Sequence, residues 1–237
     1  MRPWTGQLVV LGIVLLAYLM LRAPVFTRTH INEFVREVNR SLVPVQCMGL
    51  ERIGGDHCVV FYPQGEEEAA KLVLRTAERF FPVVADEFGV KLKRRVPVVL
   101  YREQSELNRV FGWPADEGTM GVYWGGNYPR WLTEGLAQEM ERRLTGFRLE
   151  PPAGFPNCYP FSVLDDFDSL PDERLAYYQS YLMVGYLLEH GGDAKLKELL
   201  AELGRGCSFA SALERTMGYG VSEFESRFVY ALLNGGC

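Results

Sequence analysis

The strongest constraint on this chain is an uncharged run at its start. Pro3 to Leu21 contains no charged side chain, Leu8 to Leu21 is almost wholly aliphatic, and Arg2 and Arg22 bracket the stretch. At ~1.5 Å of rise per residue, these nineteen residues form a helix about 28 Å long, close to the thickness of a bilayer's hydrocarbon core. A helix packed in a soluble core keeps a polar face, and this segment has none. Residues 1–22 read as a transmembrane anchor or a signal segment, with membrane contact through residues 3–21. The flanking LMLRAPVF offers no A-x-A-like cleavage site, which favours an uncleaved single-pass anchor. Arg22 and Arg28 compete with Arg2 and the amino terminus for the cytoplasmic side. Anchors of this kind usually export the domain attached to them, so the expected location is the cell membrane, with an extracytoplasmic domain.

Charge narrows the partners. The 237 residues carry a formal net charge of −5, and the part after Arg22 carries −7. No basic excess exists to neutralise a phosphate backbone, so no nucleic-acid partner is expected. Five scattered cysteines (Cys47, Cys58, Cys158, Cys207, Cys237) contain no C-x-x-C pair, which excludes a zinc ribbon or a thioredoxin-like motif. Cys47 and Cys58 have the spacing to pair across a hairpin. Free buried thiols are the alternative for most of the five.

After a juxtamembrane stretch (residues 23–50) with an amphipathic helix over Thr29–Leu42, the pattern predicts α+β architecture. His57–Tyr62 is a β-branched and aromatic run, and Arg95–Tyr101 is a second strand whose Pro97 suits an edge. Between them, Glu66–Phe88 reads as a long helix stopped by Gly89, with Leu72, Leu74, Ala77, Phe80, Phe81 and Val84 inward and a kink at Pro82. Ser105–Phe111 fits a short helix and Gly121–Trp124 a third strand. From 127 onward the chain reads as helical: Tyr128–Leu144, Asp172–His190, Asp193–Leu203, Ser208–Met217 and Ser222–Leu233. Gly191-Gly192 is a stop, and Ser222-x-x-Glu225 reads as a capping box. Thr145–Leu170 is a Pro- and aromatic-rich loop. These boundaries divide the chain into an α+β part over 51–126 and a helical part over 127–237.

The segment Asn127-Tyr-Pro-Arg-Trp-Leu-Thr-Glu-Gly-Leu-Ala-Gln138 carries the functional argument. It resembles the peptidase-MA-like family, a branch of the gluzincin zinc metallopeptidases, and the similarity extends over about residues 50–233. In that family a Pro-x-Trp-Leu-x-Glu-Gly-x-Ala helix carries the third zinc ligand, which the resemblance places at Glu134. It implies peptide or protein substrates, cut by a zinc-activated water.

The rest of the zinc site is absent. Gluzincins use two histidines four apart, on one face of an H-E-x-x-H helix, with the intervening glutamate as general base. No H-E-x-x-H occurs in this chain, and His30, His57 and His190 are its only histidines. In relatives a further strand and the active-site helix stand between the Gly-x-Tyr strand and the Pro-x-Trp-Leu segment. Here Gly126 runs directly into Asn127, as an internal deletion or a loss in the gene model leaves it. A catalytic zinc needs about three protein ligands. Glu134 alone is a vestigial ligand, so no cofactor is expected for this chain and no catalytic residue is assigned.

Other readings attach to the same residues. Glu134, Gln138 and Glu141 also describe an ordinary polar helix face. Tyr177, Tyr178 and Tyr181 suit a substrate cleft or a core. Asp165-Asp-Phe-Asp168 lacks the glycine and terminal glutamate of a calcium loop and reads as solvated. No G-x-S-x-G or phosphate-binding glycine loop is present. The expectation is a degenerate metallopeptidase-like module that binds a peptide or a protein partner. The alternatives are an active zinc peptidase with ligands of another pattern, and a chain that folds poorly because the helix after Tyr128 packs on a void.

Overall fold

The computed structural model describes residues 47–89, 91, 94–111, 128–153 and 155–235. The expected membrane segment, the Thr29–Leu42 helix, the Gly121–Trp124 strand and Cys237 lie outside these residues. The architecture is α+β and mostly helical, and the described residues form two compact units, 47–111 and 128–235. Among the described residues no helix is long and apolar enough to cross a membrane.

In the first unit, β1 (Glu51–Gly54) and β2 (Cys58–Tyr62) pair antiparallel, and β3 (Val96–Val99) lies parallel to β2 on its other side. The helix α1 (Glu67–Phe88) links β2 to β3, as a parallel pair requires. Alternation along β2 buries Cys58, Val60 and Tyr62, and Val60 and Tyr62 pack with Ala70, Val73 and Leu74 of α1. Among the described residues β3 is an edge strand, a place that tolerates Pro97. The flanking Val96 and Leu100 amides donate into β2, to the His57 and Phe61 carbonyls, so the alternate position of Pro97 needs no donor.

The inward face of α1 differs from the expected one by a residue. Leu72 is 58% exposed, and Val73 takes the inward place beside Ala70 and Leu74. The helix runs unbroken through Pro82 and ends at Gly89, whose positive φ of 63° closes it. Glu78 ties α1 to the start of β2. Its carboxylate accepts the His57 and Cys58 amides at 2.8 Å and pairs with His57 Nδ1 at 2.7 Å, while His57 stacks on Phe81. A short helix, α2 (Gln104–Phe111), comes after β3.

The second unit contains α3 (Arg130–Thr145), α4 (Glu173–Gly204), α5 (Phe209–Met217) and α6 (Val221–Leu233). Two 3₁₀ turns, Phe161–Val163 and Phe167–Ser169, lie in the loop between α3 and α4. The expected stop at Gly191-Gly192 is real but local. Gly192, at φ 70° and ψ 173°, breaks α4 and the chain resumes a helix at once. Asp172 and Ser208 cap α4 and α5 through their side chains.

The expected capping box does not form. Helix α6 starts at Val221 behind Gly220, with no side-chain cap, and Glu225 instead accepts the Phe161 amide at 3.0 Å. That bond and buried Gln179, which both donates to and accepts from the Tyr159 backbone at 2.8 Å, pin the long loop to the helices.

The inward side chains of α3 are covered within its own unit. Trp131 is 3% and Leu132 0% exposed, and Trp131 meets Phe161, Phe209 and Phe224. Cys47, Cys58, Cys158 and Cys207 are free thiols, so the Cys47–Cys58 pairing is not made.

Candidate functional site

The residues that carry the resemblance divide sharply by burial. Trp131 and Leu132 are core side chains. Gly135 is a contact point: a Cβ there would lie 2.2 Å from the Ser180 carbonyl oxygen and 2.7 Å from Val184 Cγ2. Only glycine lets α3 approach α4 this closely. Helical spacing then turns Glu134 away from the core contact, and it is left half-buried on the same helix pair.

Glu134 has no structural employment comparable to that of its neighbours. Its carboxyl makes no hydrogen bond to any described residue. Burial pushes its pKa up, and the Arg130 guanidinium one turn earlier only partly opposes this. The nearby Tyr177 hydroxyl is also pushed up, by burial first and then by the Glu134 charge, while a hydrogen bond from Arg130 works against both.

The remaining walls hold these groups in place. Arg130 lies over the Phe167 ring at 4.8 Å, and Phe167 meets Tyr177 edge-on at 5.1 Å. Asp165 supplies what Pro129 lacks as a cap, accepting the Arg130 amide at 2.9 Å. Asp165 and Asp166 are exposed, as expected of a solvated loop, and Asp165 in addition caps α3.

The structure thus brings together Glu134 and Tyr177, two residues singled out separately in the sequence. Tyr178 packs edge-on against Phe155 and stands 6.3 Å from Tyr181, and all three tyrosines are half-buried. His190 does not join them. It lies thirteen residues beyond Tyr177, about 20 Å along α4, stacked on Tyr186 with Nδ1 at the Tyr186 carbonyl. His57 belongs to the other unit, beside Glu78. Among the described residues no three His, Cys, Asp or Glu side chains converge as a metal-binding group.

One further feature was not singled out in the sequence. Glu139 is only 6% exposed and lies between Arg142 and Arg143. Arg142 donates to both of its oxygens at 2.8 and 2.7 Å, Arg143 donates at 2.7 Å, and Arg143 reaches on to Asp193 at 3.0 Å. Burial pushes the Glu139 carboxyl up, but the two arginines outweigh it and hold it below the usual range. The i,i+3 and i,i+4 spacing of Glu139 to Arg142 and Arg143 was the signal available. The burial that makes the pairing strong comes from α4 and has no local signature.

No family model matches the chain, and no curated protein or solved structure matches it.

Proposed function

We propose that this chain is a membrane-anchored, extracytoplasmic relative of the peptidase-MA-like zinc metallopeptidases that has lost catalysis and acts by binding a peptide or a protein partner. One observation carries the reading. In the Trp131–Ala137 string, packing uses Trp131, Leu132 and Gly135 but leaves Glu134 as a half-buried carboxyl without a hydrogen bond among the described residues, next to Tyr177. Keeping such a group costs stability, so a role outside the fold explains it better than packing does.

Catalysis is excluded from the proposal by ligand arithmetic in the sequence. A zinc-activated water needs about three protein ligands, and the H-E-x-x-H pair that supplies two of them is absent. The half-buried Arg130, Glu134 and Tyr177 offer a cation, an acceptor and a hydroxyl at one place, a set suited to a peptide backbone.

The test uses the full-length chain and a mixed tryptic digest of casein, with retention and cleavage both read by mass spectrometry. The expected result is selective retention of some peptides without cleavage, weakened by Glu134→Ala. Cleavage that chelator abolishes, or retention indifferent to Glu134→Ala, overturns the proposal.

A further inference from the structure

A groove of about 470 Å³ opens along the α3–α4 pair, with Tyr181, Gly185 and Leu188 among its walls and arginines from the end of α3 at its mouth. Four of its charges are already used: Glu139, Arg142, Arg143 and Asp193 form the closed network described above. Two charged lining groups remain, Arg148 and Glu189, of opposite sign and both exposed. Neither makes a hydrogen bond or ion pair with another described residue.

Gly185 is the second observation. Glycine weakens a helix interior relative to alanine, so its presence there calls for a reason. At Gly135 the reason is contact with the neighbouring helix. Gly185 has no such contact: its φ is not positive, and a Cβ there would meet nothing within 4 Å. The space a side chain would take belongs to the groove that Gly185 lines. A bare backbone at this point lets something from outside lie flat against α4.

We infer that the groove between α3 and α4 is a binding site for a small zwitterion, an amino acid or a dipeptide, lying over Gly185 with its carboxylate at Arg148 and its ammonium at Glu189. Tyr181 and Leu188 supply apolar contact for the ligand's side chain. A ligand carrying both charges leaves neither unpaired in a groove whose other charges already cancel. The site depends on nothing at Glu134, so the two proposals stand or fall separately.

The experiment titrates the full-length chain with the dipeptide alanyl-leucine, its N-acetyl form and its C-terminal amide, by calorimetry. Saturable binding of the free dipeptide is expected, weakened about tenfold or more by either cap, as loss of one charge-assisted hydrogen bond implies. Arg148→Ala should abolish discrimination against the amide, and Glu189→Gln discrimination against the acetyl form. Gly185→Ala and Gly185→Leu should weaken binding, while Gly185→Ala raises the melting temperature, a combination that misfolding does not produce. Absence of saturable binding at millimolar dipeptide overturns the inference. So does a cap effect at one end only, or unchanged affinity in both Gly185 variants.

Discussion

Adding one methyl group at Gly135 tests the packing that presents Glu134. The new Cβ would stand 2.2 Å from the Ser180 carbonyl oxygen and 2.8 Å from its carbon. Because both are main-chain atoms, no rotamer change relieves the overlap, and the helices must part by roughly 1 Å to restore ordinary contact. A gap of that size forfeits a quarter to a half of each dispersion contact across it, and overpacking of this kind costs ~1–3 kcal/mol. Alanine's better helix propensity returns up to ~1 kcal/mol. The net expectation for Gly135→Ala is a loss of about 1–2 kcal/mol. Gly185→Ala, whose Cβ meets nothing, keeps the propensity gain alone and should stabilise by ~0.5–1 kcal/mol. Urea unfolding monitored by far-UV circular dichroism measures both. Gly135→Ala as stable as the parent, or Gly185→Ala less stable, refutes the helix–helix geometry on which the site rests.

Individual side chains carry further expectations. Glu139→Ala leaves Arg142 and Arg143 without their shared partner and should cost about 2–3 kcal/mol, below the range for fully buried pairs because both arginines are part-exposed; thermal unfolding checks it. The Glu134 carboxyl is raised in the fold, so the folded state holds its proton more tightly than the unfolded one, and stability falls as pH rises from the ordinary carboxyl range through the raised value. Glu134→Gln should therefore raise the melting temperature at neutral pH and lose that advantage by about pH 3, below the ordinary carboxyl range, where both states are protonated. Tyr219 Oη is buried with no hydrogen-bond partner among the described residues, so Tyr219→Phe should be neutral or stabilising by roughly 1 kcal/mol in the same unfolding assay.

Legibility in the sequence tracked the range of the interactions. The β2 strand, the length of α1 and its stop at Gly89, and the helix starts at Asp172 and Ser208 rest on neighbours a few residues apart, and they were readable. Strand β1 was not, because Glu51-Arg-Ile-Gly54 is short and charged and exists through its pairing with β2. The misread capping box has the same cause: Glu225 bonds the Phe161 amide, 64 residues away, where no local pattern reports it. Leu72 and Val73 are similar enough that periodicity alone chose the wrong one, and the sheet chose the other.

At the site, Glu134 was visible because the surrounding string is distinctive. Its nearness to Tyr177 depends on how α3 crosses α4, where Gly135 contacts Ser180 and Val184. Glu139 was hidden for a related reason. A glutamate three and four residues before two arginines is ordinary on an exposed helix, and only the α4 surface makes it buried.

The proposal to be tested is a metallopeptidase-like helix without metal chemistry. Metal content of the purified full-length chain, after equilibration with zinc and removal of free ion, tests it directly. The expected content is far less than one zinc per chain, unchanged by Glu134→Ala. One zinc per chain that disappears on Glu134→Ala would contradict it and restore the reading as an active zinc peptidase.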